Sequence, residues 1–290
     1  MSSQITTAFV EQYSANVQML SQQMGSQLRG AVDVESITGK NAFFEQVGSV
    51  AAVKKTSRHS DTPQLDTPHA RRRVSLEDYV WADLIDDVDK VRMLIDPTSS
   101  YAKAAAAAMN RAIDDVIITA LGGTAFTGVS GGTSTALPSA SKFATSNQSD
   151  GLTIAKLLAA KKRFDLQSVD PSIPRYIVCG PQQISDLLAT TEIKSSDFNT
   201  VKALAQGDID SFLGFKFITS NRLSFDSTNT DDRLCFAFTQ DAVKLAIGKD
   251  IMAKIDERND KNYSTQVYYC MSVGATRMEE VKVFQIPCNE

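Results

Sequence analysis

Hydrophobic residues recur along this chain with two periods, and the changes of period divide it. Between residues 1 and 30, Phe9, Tyr13, Val17, Leu20, Met24 and Leu28 follow one another at steps of three and four, the spacing of one helical face. Ser, Gln, Asn and Thr fill the other face, and Gly25 and Gly30 interrupt or end the stripe. Such a helix packs on its own core or on a partner subunit, and both readings stay open. Two strand-like runs follow, "FFEQVGSVAAV" (43–53) and "RRVSLEDYVWADL" (72–84), the second returning on the first. The chain between them is rich in Thr, Ser, Pro and charge, with Leu65 as its aliphatic anchor. Such a composition cannot bury a core of its own. Pro63 and Pro68 lock φ and remove donors, which stiffens the excursion. It reads as a long two-stranded arm reaching away from the body or as a disordered loop, and the flanking strands favour the arm.

Helical spacing returns in "LIDDVDKVRMLID" (84–96), where Leu84, Val88, Val91 and Ile95 share a face until Pro97. Thr98 or Ser99 then offers a cap to an alanine-rich helix over 99–123, roughly 33 Å long at 1.5 Å per residue. Its alanine faces allow other backbones to approach closely, so it should act as a spine, ending at Gly122 and Gly123. Residues 122–151, rich in Gly, Ser and Thr, read as a flexible loop or hinge. An α/β pattern follows: helix 151–165, strand 175–180, a helix opening on Pro181, and strands 213–220 and 233–238. Period-two alternation in 249–258 and 263–277, around the turn "NDKN", predicts a long hairpin, and 281–287 a last strand.

Composition narrows the function classes. At 290 residues the chain can hold two compact domains or one with large excursions. A hydrophobic share of 42% excludes wholesale disorder, and a net charge of -4 excludes a molecule that coats nucleic acid by bulk electrostatics. No apolar run approaches the ~20 residues of a membrane span, and the N-terminus lacks the pattern of a secretory signal. Cys179, Cys235, Cys270 and Cys288 are scattered without a close pair, so buried reduced thiols are expected rather than zinc ligands.

The candidate catalytic chemistry is thin. His59 and His69 both fall in the polar excursion, away from any core that could orient a base, and Asp61 and Asp66 are poor co-ligands on extended chain. Asp83, Asp86, Asp87 and Asp89 gather where a helix should begin, which the helix dipole favours without catalysis. Asp114 and Asp115 sit three and four residues after Arg111 and read as a solvated ion-pair face. "GGTAFTGVSGG" lacks the Gly-Lys-Ser/Thr of a phosphate loop, and Cys179-Gly180-Pro181 has no histidine in its own pattern. The triplet Arg71, Arg72, Arg73 could neutralise phosphates, but at the base of an arm it more plausibly pairs with a neighbour's carboxylates. No cofactor or metal is expected.

A terminal arm, a two-stranded excursion, a spine helix, a separate α/β lobe and a closing hairpin expose surfaces that another copy would satisfy. "HARRRVSLEDYVWADLIDDVDKVRMLIDPTSSYAKAAAAAMNRAIDDVIITAL" (69–121) and "LAIGKDIMAKIDERNDKNYSTQVYYCMSVGATRMEEVKV" (245–283) resemble blocks of the major capsid proteins of tailed bacteriophages. The resemblance covers nearly the whole chain and is loose across 122–240. It implies an α+β fold of the Hong Kong 97 type. Residues 1–42 would form the N-terminal arm and 43–80 the extended E-loop. Residues 81–129 and 243–278 would form the peripheral domain, with its spine helix over 99–121, and 130–242 and 279–290 the axial domain. "DTPQLDTPHARRRVSL" (61–76) would be the tip and returning limb of the E-loop, lying over an adjacent subunit.

What the resemblance implies for function is a structural protein, not an enzyme, that assembles through pentamers and hexamers of itself into an icosahedral shell around double-stranded DNA. Inter-subunit contacts would fall on Phe9, Tyr13, Val17, Leu20, Lys54, Lys55, Arg58, His69, Arg71, Arg72 and Arg73. Partners would include a portal, a separate scaffolding protein (since the chain starts almost at the arm), a decoration protein and packaged DNA held non-specifically; no membrane partner is expected. Assembly in the host cytoplasm and residence in the virion would follow. Some family members join a loop lysine to a neighbour's asparagine; Lys54, Lys55 and Asn289 are present without a motif that pairs them. The competing readings are a bacterial nanocompartment shell, a carboxylate-based hydrolase on the α/β lobe and a DNA-binding module.

Overall fold

The changes of period become element boundaries in the computed structural model, which describes residues 21–59, 61–62, 64–85, 98–143, 150–189, 211–227 and 231–290. Its strands are Asp33–Ser36 (β1), Asn41–Val47 (β2), His69–Ser75 (β3), Glu77–Ile85 (β4), Ala125–Thr127 (β5) and Thr133–Thr135 (β6). They continue with Arg175–Cys179 (β7), Ser211–Phe212 (β8), Phe215–Thr219 (β9), Asp232–Thr239 (β10), Val243–Arg258 (β11), Ser264–Arg277 (β12) and Val283–Asn289 (β13). The α-helices are Thr98–Gly122 (α1), Ile154–Leu166 (α2) and Pro181–Ala189 (α3). Strand orders are β1-β11-β12-β4, β13-β10-β7-β9-β8 and β2-β3-β5-β6. The described residues fall into two compact units: 21–25, 78–85, 98–112 and 249–271 in one, and 26–77, 113–248 and 272–290 in the other.

In the first unit, alternation along β4 aims Trp81 at Tyr269 of β12, edge to face at 6.5 Å. The β11–β12 hairpin closes through Asn259–Lys261, with Asn262 and Tyr263 at φ +53° and +58°. Ala105 and Ala107 of α1 are buried, as close-packing alanines should be.

The second unit holds the larger core. The parallel pair β7–β9 and the antiparallel neighbours β10 and β13 bury Ile177, Val178, Phe236, Phe238 and Ile286. Thr153 caps α2 by accepting from the Lys156 N–H, and Phe164 of that helix meets Phe215 at 6.0 Å. A smaller cluster of Ile37, Phe44, Val74, Ala246 and Met278 lies under the β2–β3 pair.

Several expectations are corrected. The strand expected over 43–53 stops at Val47: Gly48 makes the last rung, donating to the Pro68 carbonyl, and Pro68 has no N–H to continue the ladder. The return expected as one strand over 72–84 is two strands, parted at Leu76, whose N–H goes to Lys40 while its side chain lies over Gly248. Leu84 and Ile85 are strand, not the first turn of a helix; the rest of the helix expected to 96 lies outside the described residues, as do Phe9, Tyr13, Val17 and Leu20. Of the terminal stripe, 21–28 contain no helix; Met24 is half-exposed and Leu28 is buried ahead of a short 3-10 turn. The Gly-rich stretch after α1 carries the β5–β6 hairpin, which pairs with β3.

Candidate assembly surfaces

Strand alternation gives the β2–β3–β5–β6 sheet two faces with different work. Its register sets Phe44 opposite Arg72 and Ala42 opposite Val74 on one face, and Phe43 opposite Arg73 and Glu45 opposite Arg71 on the other. On the first face Arg72 is buried. Its Nε donates to the Met278 carbonyl at 2.9 Å, and its Nη2 lies 2.7 and 2.8 Å from the two carboxylate oxygens of Glu280. Arg277, fully buried beside the same carboxylate, donates to the Leu121 carbonyl at 3.0 Å, Gly123 at 2.7 Å and Thr135 at 3.1 Å. It thereby satisfies carbonyls that the end of α1 leaves without intrahelical donors. Burial lowers the Arg277 pKa and neighbouring Glu280 opposes that shift. The expectation that Arg72 reaches a neighbour's carboxylate is thus corrected, because Glu280 of its own chain takes the guanidinium.

The opposite face is half-exposed. Arg71 pairs with Glu45 and stands 5.5 Å from the Phe43 ring; Arg73 lies 4.8 Å from the Phe126 ring. The register Phe43↔Arg73↔Phe126 makes one row across three strands. Gly131, at φ +64°, folds against the Arg73 stem; a β-carbon there would stand 2.6 Å from Arg73 Cβ. His69 is exposed at the start of β3.

Beyond the Gly48–Pro68 rung, Lys54, Lys55 and Arg58 are exposed, as are the other described residues of 49–67. Val53, Lys54, Lys55, Thr56, Asp61, Thr62 and Leu65 line an open cleft of about 530 Å³. The excursion has no buried interior among its described residues, as its composition requires.

The neighbouring carboxylates Asp114 and Asp115 each have tertiary partners. Asp114 is fully buried and accepts from the Ser26 hydroxyl at 2.5 Å and from the Leu28 and Gln27 N–H groups at 3.1 Å each. Asp115 pairs with Arg222, whose pKa that hydrogen bond raises. Arg111 turns to Gln22 and the Gln23 carbonyl. The solvated ion-pair face expected for these three is corrected: tertiary partners have taken every member.

Three of the four cysteines, distant in sequence, meet in one sheet. Cys235 pairs with Ile286, two before Cys288, and stands one step beyond the Phe236↔Val178 rung from Cys179. All are buried and free. Burial pushes the Cys179 thiol up to about 12; a hydrogen bond with Cys288, and burial, raise Cys235. A nucleophilic cysteine needs the opposite shift. Among the described residues no group of three or more His, Cys, Asp or Glu could hold a metal ion, and no helix is long and apolar enough to cross a membrane.

Sequence reasoning missed Phe43, Phe126, Arg277 and Glu280. Period-two alternation could have placed Phe43 and Arg73 on one face once the register was known; nothing local marks Glu280 as the counter-charge of Arg72.

The comparisons fit this geometry. The family described as "Phage capsid protein" matches residues 5–290. Among solved structures, the capsid of cyanophage P-SCSP1u aligns at TM-score 0.73 with 16% identity, covering 97% of this chain and 93% of that one. A Mycobacterium phage Che8 chain aligns at 0.71 with 17% identity, covering 96% and 97%. The capsid of a native GTA particle aligns at 0.71 with 12% identity over 100% of both chains. No curated protein sequence matches.

Proposed function

The chain belongs to the phage capsid protein family and is a major capsid protein with the Hong Kong 97-type fold, and from that premise we propose how it closes its icosahedral shell. Copies join as pentamers and hexamers. Residues 43–80 act as the E-loop and 1–42 as the N-terminal arm; 81–129 with 243–278 form the peripheral domain, and 130–242 with 279–290 the axial domain. Lys54, Lys55, Arg58 and His69 meet a neighbouring copy, together with Phe9, Tyr13, Val17 and Leu20 of the arm. The shell encloses double-stranded DNA without sequence preference and works with a portal, a separate scaffolding protein and a decoration protein, after assembly in the host cytoplasm. The role is structural and non-enzymatic. Affinity per contact can be modest, since many contacts form together and closure couples them.

The observation that carries this reading is the excursion beyond Gly48 and Pro68, whose described residues bury nothing of their own and gain an interior only against another surface. Its test is replacement of residues 50–66 by a short Gly-Ser turn, which keeps the last rung. Electron microscopy and light scattering should show closed shells or discrete capsomers for the wild type, and a folded subunit that fails to assemble for the variant. Shells of unchanged yield and heat resistance from the variant would overturn the E-loop assignment. A wild type that stays monomeric even with a scaffolding partner would overturn the shell reading itself.

A further inference from the structure

The outer face of the E-loop root combines what protein interfaces concentrate, arginine and aromatic side chains held in fixed positions. Phe43 and Phe126 are each 39% exposed, on either side of Arg73 in the cross-strand row. Val47 adds exposed aliphatic area. The cations there are Arg71 and Arg73, against the single carboxylate of Glu45, which Arg71 already holds. Among the described residues no carboxylate pairs with Arg73, and its Nε is buried without a hydrogen-bond partner. The Phe126 ring and the Gly131 turn hold its stem, so little side-chain entropy remains to be lost on binding.

A complementary partner must offer carboxylates beside aliphatic side chains and no cation. Among the described strands, β1, β2 and β4 carry carboxylates without Lys or Arg, and Glu45 of β2 belongs to the arginine face itself, where Arg71 holds it. In β1, Glu35 is already paired with Lys244. In β4, alternation sets Asp78 and Ala82 on one face with the exposed Val80 and Leu84, while Glu77 and Asp83 fall on the other face with Trp81. β4 is also an edge of its sheet as described. Glu77 and Asp78 have contacts within their own chain, but a carboxylate offers about four lone-pair sites and can accept a further donor.

Resting on the capsid reading, we propose that the Phe43–Arg73–Phe126 face of one copy binds β4 of a second copy. Arg71 and Arg73 meet Asp78, and the two phenylalanines cover Val80 and Leu84 on the same face of β4. Exposed aromatic and aliphatic area beside the arginines favours this partner over DNA phosphate, which would use the charge alone.

The test uses the full chain under conditions in which the wild type assembles. Arg71→Glu with Arg73→Glu, and separately Asp78→Arg, should each lower shell yield at least tenfold. All three substitutions together should restore it. Assembly of either reversal at wild-type yield overturns the proposal; if the arginine variant then packages less DNA, the face meets phosphate instead. Should a reversal variant fail to fold, Phe43→Cys with Val80→Cys replaces it. A short bis-maleimide should link those shells into a ladder of chain multiples, absent from either single variant, and shells that give no ladder overturn the proposal. A wild type that never assembles under any condition fails the capsid reading, an outcome distinct from either of these.

Discussion

Arg72 and Glu280 lie 208 positions apart in the chain and face each other inside the protein, the Arg72 Nη2 at 2.7 and 2.8 Å from the two carboxylate oxygens. With Arg277 on the same carboxylate at 3.8 Å, two buried cations share one anion. Glu280→Gln keeps the size and removes the charge. Breaking a buried pair by removing one partner costs roughly 3–5 kcal/mol. Calorimetry should therefore show a large fall in the melting temperature of the isolated subunit. A loss within the usual ±0.5 kcal/mol of a surface substitution would mean that Glu280 does not neutralise these arginines.

Asp114 ties the Ser26–Leu28 segment to α1 through three donors. Asp114→Ala leaves the Leu28 N–H buried without its acceptor, at roughly 1–3 kcal/mol per unsatisfied donor. Amide hydrogen exchange at residues 27–31 should rise well above wild type while β10 and β13 stay protected. Equal protection at 27–31 would show that other contacts hold the segment.

Gly131 combines a left-handed φ of +64° with a close approach to Arg73. Gly131→Val places a branched side chain where even a β-carbon is crowded; the backbone alone costs roughly 1–2 kcal/mol. Shells of this variant should form in lower yield and melt earlier, with the deficit eased by Arg73→Ala. A deficit unchanged by Arg73→Ala would separate the turn from the arginine.

The buried thiols predict an alkaline limit. The Cys179 pKa stands at about 12, above its ordinary 9.0, so the folded state keeps a proton that the unfolded chain releases first. That contribution is fully present below pH 9.0 and is lost as pH rises toward about 12. Denaturation midpoints of the wild type should fall across this window more steeply than those of Cys179→Ala. Parallel curves would remove the thiol from the account.

Local pattern decided most of the elements. Alanine and branched aliphatics set α1, proline opened α3, and period-two alternation set β11, β12 and the two faces of β2 and β3. Composition alone told that 54–68 could bury no core of its own, and its described residues are exposed. Resemblance in 69–121 and 245–283 carried the family. Tertiary structure decided where the charges went. Arg71, Arg72 and Arg73 are equivalent as letters, yet alternation sends Arg72 inward and its neighbours outward, and only the fold brings Glu280 to the first and leaves the described surroundings of Arg73 without a carboxylate. Helix spacing sees only i+3 and i+4 neighbours and so makes Asp114 and Asp115 a solvated pair with Arg111; their partners Ser26 and Arg222 lie 88 and 107 positions away. Helix and strand periods act over a few residues and can be read from a string. Counter-charges, capped carbonyls and the row of three thiols depend on which strands become neighbours, and that is settled by the packing of the whole chain.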